Sequence, residues 1–178
     1  VIVLALAAIG LAVAAPILDL ARAEGVEQPF ASALLAGMRR FFDKELGVVR
    51  RYLPNVGDDK NKNAVDSWYL YHPLIALGRL ALAGDSLARE LFEGSLDYAV
   101  KAARHFNYAW PIQYDVRTFK VITAARNDQG LGQTDVGGVY AYVMLLAHEL
   151  TREAVYLREA KAALRALKDV RFELAYQT

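Results

Sequence analysis

Apolar residues recur along most of the chain at intervals of three and four positions, which is the spacing of amphipathic helices. Asp66 stands where the N-cap of a helix is expected, and Gly84 followed by Asp85 marks the end of that helix and the start of the next. Pro73 requires either a kink in the first of these two helices or a later start. The pattern predicts helices at residues 29–52, 67–83, 86–105, 136–150 and 153–168.

The helical pattern stops at residues 106–135, where aromatic residues, glycines and asparagines alternate with polar residues. Within this segment, residues 113–123 favour irregular or short β structure. Outside it, the helices come in pairs in which the first is more apolar and the second more charged. Such a repeat predicts an array of hairpins whose first helices form an inner layer. We therefore expect residues 136–150 to be more buried than residues 153–168.

The first 18 residues form an apolar run without charge. A helix of this length spans roughly 27 Å, close to the ~30 Å of a bilayer core. Residues 12–14 resemble the small-residue cleavage site of a secretory signal. The run is thus a signal sequence, a membrane anchor or a buried helix, and the remaining residues 19–178 form one helical domain. Acidic residues after the run favour an extracytoplasmic, secreted or membrane-anchored location. Because the chain begins without Met, we expect a piece of a longer protein.

The charge balance and the absent cysteines exclude several kinds of function. With 21 basic and 20 acidic residues, the chain has no long-range field to attract a polyanion, so we expect no nucleic-acid partner. Without cysteine it has neither disulfides nor thiolate metal sites. The three histidines lack ligand spacing, and residues 59–70 lack the glycine and glutamate of a calcium loop. We expect no metal and no cofactor.

Three stretches resemble a known family. They are WPIQYD at residues 110–115, GLGQTDVGGVYAYVMLL at 130–146 and ELTREAVYLREAKAALRAL at 149–167. Their order is similar to that in the C-terminal domain of glucuronyl C5-epimerases, within the (α/α) toroid or six-hairpin glycosidase-like group. The resemblance implies an all-α fold, an incomplete toroid of helical hairpins with a short irregular or β insertion around residues 106–135. Residues 134–136 depart from the epimerase pattern.

The function implied by this resemblance is action on a uronate-containing polysaccharide, by abstraction of the C5 proton and its return from the opposite face. A glycoside hydrolase or polysaccharide lyase of the same group is the alternative enzyme. A non-catalytic helical-repeat module that binds a glycan or another partner is the alternative from a different class. The partner expected in the first two cases is a polysaccharide or oligosaccharide substrate.

The candidate catalytic residues are two aspartates and three tyrosines. Asp66 and Asp135 each precede a predicted inner helix, so they are either N-caps or a general acid and base facing each other. Tyr71, Tyr114 and Tyr140 could abstract a proton if a neighbouring cation lowered the tyrosine pKa from about 10. Otherwise they are buried tyrosines bonded to the backbone.

The candidate substrate-binding residues are Trp68, His72, Trp110, Arg117 and Gln133. Aromatic rings stack on sugar rings, and short polar groups bind their hydroxyls. Arg117 and His72 could also neutralise a uronate. We expect Tyr71 and His72 to point inward beside Tyr140, with Trp110 at the rim. The alternative is an aromatic packing layer.

Overall fold

The computed structural model describes residues 29–50, 62–125 and 132–168. The apolar run at residues 1–18, and with it the prediction of a signal or anchor, lies outside these ranges. Across the described ranges, no helix combines the length and the apolar character that crossing a membrane requires.

The described chain contains five α-helices. They are α1 (Pro29–Met38), α2 (Ser67–Leu82), α3 (Ser86–His105), α4 (Thr134–Thr151) and α5 (Ala154–Ala166). Helix α2 begins at Ser67 as predicted and continues past Pro73. Gly84 then adopts a φ of +94°, and the side chain of Asp85 caps α3 by accepting a hydrogen bond from the N–H of Ala88. The predicted hairpin of α2 and α3 is confirmed.

The prediction of one helix across residues 29–52 is wrong. After α1, a short 3₁₀ turn at Arg39–Phe41 leads into two antiparallel strands, β1 (Phe42–Asp43) and β2 (Val48–Val49). The Asp43 carboxylate accepts backbone N–H bonds in the turn between them and also pairs with Arg50 at 2.7 Å. Gly47 supplies a φ of +64°. These local bonds favour a hairpin over continuation of the helix.

A second sheet has three antiparallel strands in the order β3 (Ala64–Asp66), β4 (Gln113–Asp115) and β5 (Val121–Thr123). Strands β4 and β5 confirm the short β structure predicted at residues 113–123. Strand β3 leads directly into α2, so the sheet joins the segment before α2 to the segment after α3. In the register, Asp66 pairs with Gln113, and Gln113 pairs with Thr123.

The all-α toroid predicted from the resemblance is contradicted: the protein is mostly helical but carries two small antiparallel sheets. The interruption at residues 106–135 is not a simple insertion, because its strand β4 pairs with β3 from a segment nearly 50 positions earlier. Hydrophobic spacing identified the helices, whereas strands of two or three residues are too short to leave a periodic signal. The fold therefore combines α-helices with small β-sheets.

Helices α2 and α4 pack against each other at the centre, with α3 beside α2 and α5 beside α4. Helix α4 has eight buried residues and α5 has four, which confirms that residues 136–150 are more buried than residues 153–168. The two central helices start near the three-stranded sheet, and this end of the molecule holds most of the candidate site residues.

Candidate functional site

The starts of α2 and α4 are both hydrogen-bonded to the same short segment, residues 110–112. The carbonyl oxygen of Pro111 accepts a hydrogen bond from Ser67 Oγ at 2.6 Å and another from Gln133 Nε2 at 2.9 Å. Two backbone bonds add to these: Ser67 N–H donates to Ile112 O at 3.0 Å, and Gln133 N–H donates to Trp110 O at 2.8 Å. The two helix starts are therefore held side by side.

The three-stranded sheet adds a row of polar side chains next to this junction. Asp66, Gln113 and Thr123 lie opposite one another on the three strands, and all are partly buried. Thr123 Oγ1 donates to Gln113 Oε1 at 3.2 Å. The neighbouring residues Val65 and Tyr114 are buried in the core. Because side chains alternate along a strand, the polar row lies on the face away from that core.

Asp66 is both the N-cap of α2 and a carboxylate with a raised pKa. Its Oδ1 accepts hydrogen bonds from the N–H groups of Trp68 at 2.9 Å and Tyr69 at 3.4 Å. Burial raises the pKa of Asp66 above its ordinary value of 3.8, the two N–H bonds lower it in part, and the nearby charge of Asp135 raises it further. The two carboxylates are thus close enough for their charges to interact.

Asp135 does not cap α4, so of the two aspartates only Asp66 is the N-cap that the sequence offered as one interpretation. Gln133 occupies the N-cap position, and Asp135 is the second residue of the helix. The Oδ1 atom of Asp135 is buried and has no hydrogen-bond partner among the described residues. A buried carboxylate oxygen without a donor is costly, and such groups often mark functional positions.

Two aromatic side chains follow Asp66 in the first turns of α2. The rings of Trp68 and His72 are stacked, with centroids 4.3 Å apart and planes at 18°. Both side chains are partly buried. Burial lowers the pKa of His72 below its ordinary value of 6.5, so the ring is neutral at neutral pH. We call the set Asp66, Trp68, His72, Gln113, Gln133 and Asp135 the helix-start surface.

The three candidate tyrosines lie in the core. Tyr71, Tyr114 and Tyr140 are each 0% exposed. Burial is the main cause that raises the pKa of each hydroxyl above its ordinary value of 10.0. Tyr71 does lie beside Tyr140, with ring centroids 5.6 Å apart in an edge-to-face arrangement, as predicted. The described surroundings therefore stabilise the neutral phenols and not a tyrosinate base.

Two of these tyrosines form hydrogen bonds with other buried side chains. Tyr71 accepts a bond from Trp110 Nε1 at 3.0 Å, and Tyr140 donates to Glu159 Oε2 at 2.9 Å. Tyr114 has no hydrogen bond of normal geometry among the described residues, although its hydroxyl interacts electrostatically with that of Tyr71. The expectation that Trp110 lies at the rim is wrong, because its side chain is 0% exposed.

Arg117 lies away from the other candidates. It belongs to the turn after β4, at the end of that strand opposite to Gln113, and its guanidinium donates to Glu45 at 2.8 Å. This ion pair links the turn to the β1–β2 hairpin. Hydrophobic and aromatic patterning in the sequence does not show which end of a strand faces a site. The separation of Arg117 from the other candidate residues is therefore visible only in the tertiary structure.

Sequence reasoning missed three polar residues. Ser67 and Gln113 take part in the junction of helix and sheet, and neither belongs to a motif. Glu159 is 4% exposed and accepts hydrogen bonds from Arg104, Tyr108 and Tyr140. Glu159 did leave a signal, because it lies three residues after Tyr156 and four before Ala163, on the buried stripe of α5.

Within residues 29–50, 62–125 and 132–168, no group of three His, Cys, Asp or Glu side chains could hold a metal ion. Comparison of the chain with protein families, with curated proteins and with solved structures gives no match.

Proposed function

We propose that the protein is a carbohydrate-active enzyme and that its helix-start surface binds a sugar residue of the substrate. The observation that carries this proposal is the pair of interacting carboxylates, Asp66 and Asp135, at the starts of the two central helices. The stacked rings of Trp68 and His72 and the amide of Gln113 add the aromatic and polar groups that sugars bind.

The reaction that we propose is C5-epimerisation of a uronate, which needs two proton-handling groups on opposite ring faces. Asp135 is the base, because its buried Oδ1 has no donor among the described residues and can accept the C5 proton. The electron pair left at C5 is delocalised into the adjacent uronate carboxyl group. Asp66 is the acid, since its raised pKa favours the protonated form that returns a proton to the other face.

The tyrosines have a different role in this proposal from the one expected from the sequence. Tyr71 and Tyr140 form the rigid aromatic layer beneath the helix-start surface and do not touch the substrate. The partial positive charges at the N-termini of α2 and α4 favour the negative charge of a uronate at this surface. An extracytoplasmic location, where polysaccharides are abundant, belongs to the same proposal.

Hydrolysis of a glycosidic bond is the second candidate, since paired carboxylates also perform that reaction when about 5–9.5 Å apart. The same pair, Asp66 and Asp135, supports it. The two reactions leave different products: epimerisation exchanges the C5 hydrogen with solvent and leaves the chain intact, whereas hydrolysis releases new reducing ends.

The test incubates the protein with a panel of uronate polymers in deuterium oxide. Deuterium at C5, without new reducing ends or unsaturated products, supports epimerisation. The variants Asp66→Asn and Asp135→Asn are each expected to reduce exchange by about 10²- to 10⁴-fold, the usual contribution of a general acid or base. The matched control is Asp85→Asn, because Asp85 caps α3 at the far end of α2 and is expected to leave exchange unchanged.

The other outcomes contradict either the epimerase or its assignment to the two aspartates. New reducing ends that depend on both aspartates would identify a hydrolase, and an unsaturated uronate would identify a lyase. Glycan binding without any reaction would leave a binding module. Exchange that survives both aspartate variants but is lost in Tyr71→Phe would return the tyrosines to the reacting centre.

A further inference from the structure

Residues 110–112 connect the two halves of the helix-start surface. Each central helix donates one side-chain bond to Pro111 O, and each donates one backbone bond to a flanking carbonyl oxygen, that of Trp110 or Ile112. Ser67 is 0% exposed, so its hydroxyl has no competing bond to bulk water. Four hydrogen bonds to three successive residues thus join α2 and α4 at their first turns.

The two carboxylates are direct neighbours of the donors in this junction. Asp66 immediately precedes Ser67, and Asp135 follows Gln133 by two positions. Fixing Ser67 and Gln133 on one carbonyl oxygen therefore also fixes the separation of the backbone positions from which the two carboxylates extend. Without the side-chain bonds, the junction would keep only its two backbone bonds.

The segment that accepts these bonds is itself held firmly. Trp110 is fully buried and donates its indole N–H to Tyr71 at 3.0 Å. On the other side, the backbone of Gly132 lies so close that an added Cβ would be 2.4 Å from the carbonyl carbon of Ala109. A rigid acceptor is what a positioning contact requires, because a mobile one would move with the helices.

We propose that Ser67 and Gln133 are positioning residues that set the separation of the Asp66 and Asp135 carboxylates. This inference rests on the proposed function for its catalytic meaning, but the separation itself is measurable without any substrate. The interaction between two charges falls as their distance grows, so the electrostatic coupling of the pair reports their separation.

The experiment measures this coupling by carbon-13 NMR titration of the Asp66 carboxyl group. In the otherwise wild-type protein, Asp135→Asn is expected to lower the titration midpoint of Asp66, because a neighbouring negative charge is removed. In a Gln133→Ala or Ser67→Ala background, the same substitution is expected to shift the midpoint less, since the carboxylates are no longer held together. Ser67→Thr keeps the hydroxyl and is expected to preserve the full shift.

The matched control is Ser95→Ala. Ser95 is also 0% exposed and donates to a backbone carbonyl oxygen, that of Leu91 at 2.8 Å, but it lies within α3. Its loss is expected to reduce stability and to leave the coupling unchanged. Gln133 is only partly buried, so Gln133→Ala remains informative if Ser67→Ala does not fold. Unchanged coupling in a folded Gln133→Ala protein would overturn the inference.

Failure of this inference and failure of the proposed function are separate results. If Gln133→Ala weakens the coupling and no uronate is turned over by the wild type, Gln133 positions the carboxylates and the epimerase proposal fails. If the wild type is active and Gln133→Ala keeps both coupling and turnover, the function stands and the positioning role fails.

Discussion

The indole N–H of Trp110 donates a hydrogen bond to the hydroxyl oxygen of Tyr71 across 3.0 Å, and both side chains are fully buried. Their rings meet edge to face, with centroids 5.8 Å apart. Since Trp110 begins the segment that fastens the starts of α2 and α4, this bond connects the helix-start surface to the core. It is a structural bond at a position where the sequence left a catalytic tyrosine and a buried, hydrogen-bonded tyrosine as alternatives.

Tyr71→Phe keeps the ring and removes the acceptor of the Trp110 bond. We expect a loss of about 1–3 kcal/mol in the free energy of unfolding, because a buried donor is left without a partner. Denaturant unfolding measures it. Tyr142→Phe is the control: Tyr142 is 43% exposed, and the change is expected to stay within about 0.5 kcal/mol. A Tyr71→Phe protein of wild-type stability would contradict the structural role.

Glu159→Gln replaces a buried carboxylate that accepts bonds from Arg104, Tyr108 and Tyr140. An amide offers only one acceptor oxygen, so at least one donor loses its partner, and we expect a loss of about 1–3 kcal/mol. The comparison is Glu93→Gln, which breaks an exposed pair with Arg89 and is expected to cost about 0.5 kcal/mol or less. Equal losses in thermal or denaturant unfolding would rule out a special role for Glu159.

Two substitutions of Asp66 separate its capping role from its proposed acid role. Asp66→Ala removes the acceptor of the Trp68 and Tyr69 N–H bonds and is expected to cost about 0.5–2 kcal/mol. Asp66→Asn keeps a capping oxygen, so its stability is expected to stay near that of the wild type while turnover falls. Parallel unfolding and exchange measurements check both. If Asp66→Asn retains turnover, Asp66 is only a cap.

The raised pKa of Asp66 also predicts how the free energy of unfolding depends on pH. Its folded-state pKa is raised above the ordinary 3.8, chiefly by burial, so the folded protein binds this proton more tightly than the unfolded chain does. The stability that it contributes is fully present below pH 3.8 and is lost as the pH rises through the folded pKa. Asp43 contributes to stability with the opposite pH dependence. Burial alone would raise its pKa, but hydrogen bonds from Arg50 and from backbone N–H groups lower the pKa below its ordinary value.

The measurement of this pH dependence compares the wild type with Asp66→Asn. Unfolding free energies are recorded from below the ordinary pKa of 3.8 up to neutral pH. Relative to the variant, the wild type is expected to lose stability as the pH rises. Parallel curves for the two proteins would show that the folded and unfolded pKa values of Asp66 are the same.

Gly132→Ala is expected to be strongly destabilising, whereas Gly138→Ala is expected to stabilise. Gly132 has a φ of +76°, which costs a residue with a Cβ about 1–2 kcal/mol, and the added carbon would also collide with the backbone of Ala109. Gly138 lies inside α4 with open space around its Cα, so alanine there gains about 0.5–1 kcal/mol. Thermal unfolding of both variants gives the comparison, and a stable Gly132→Ala protein would contradict the close packing of Gly132 against residues 109–110.

The helices after residue 62 could be predicted from the sequence alone. The N-cap at Asp66, the glycine at Gly84 and the apolar stripes of α2 to α5 depend on interactions within a few residues, so they were readable locally. The difference in burial between α4 and α5 was also predictable, because an apolar helix must be covered and a charged one need not be. Apolar spacing alone did not reveal that the helix at residue 29 ends at Met38.

Which distant residues meet could not be predicted from the sequence and is seen only in the three-dimensional fold. The pairing of β3 with β4 and the two bonds to Pro111 O join segments more than 20 positions apart, and no local pattern specifies such contacts. The burial of Trp110 was not predictable either, because the residues around it are equally compatible with a position at a cavity rim or in the core. The physical reason is that a hydrogen bond or an aromatic contact records only proximity in space, whereas sequence periodicity records only which face of an element is apolar.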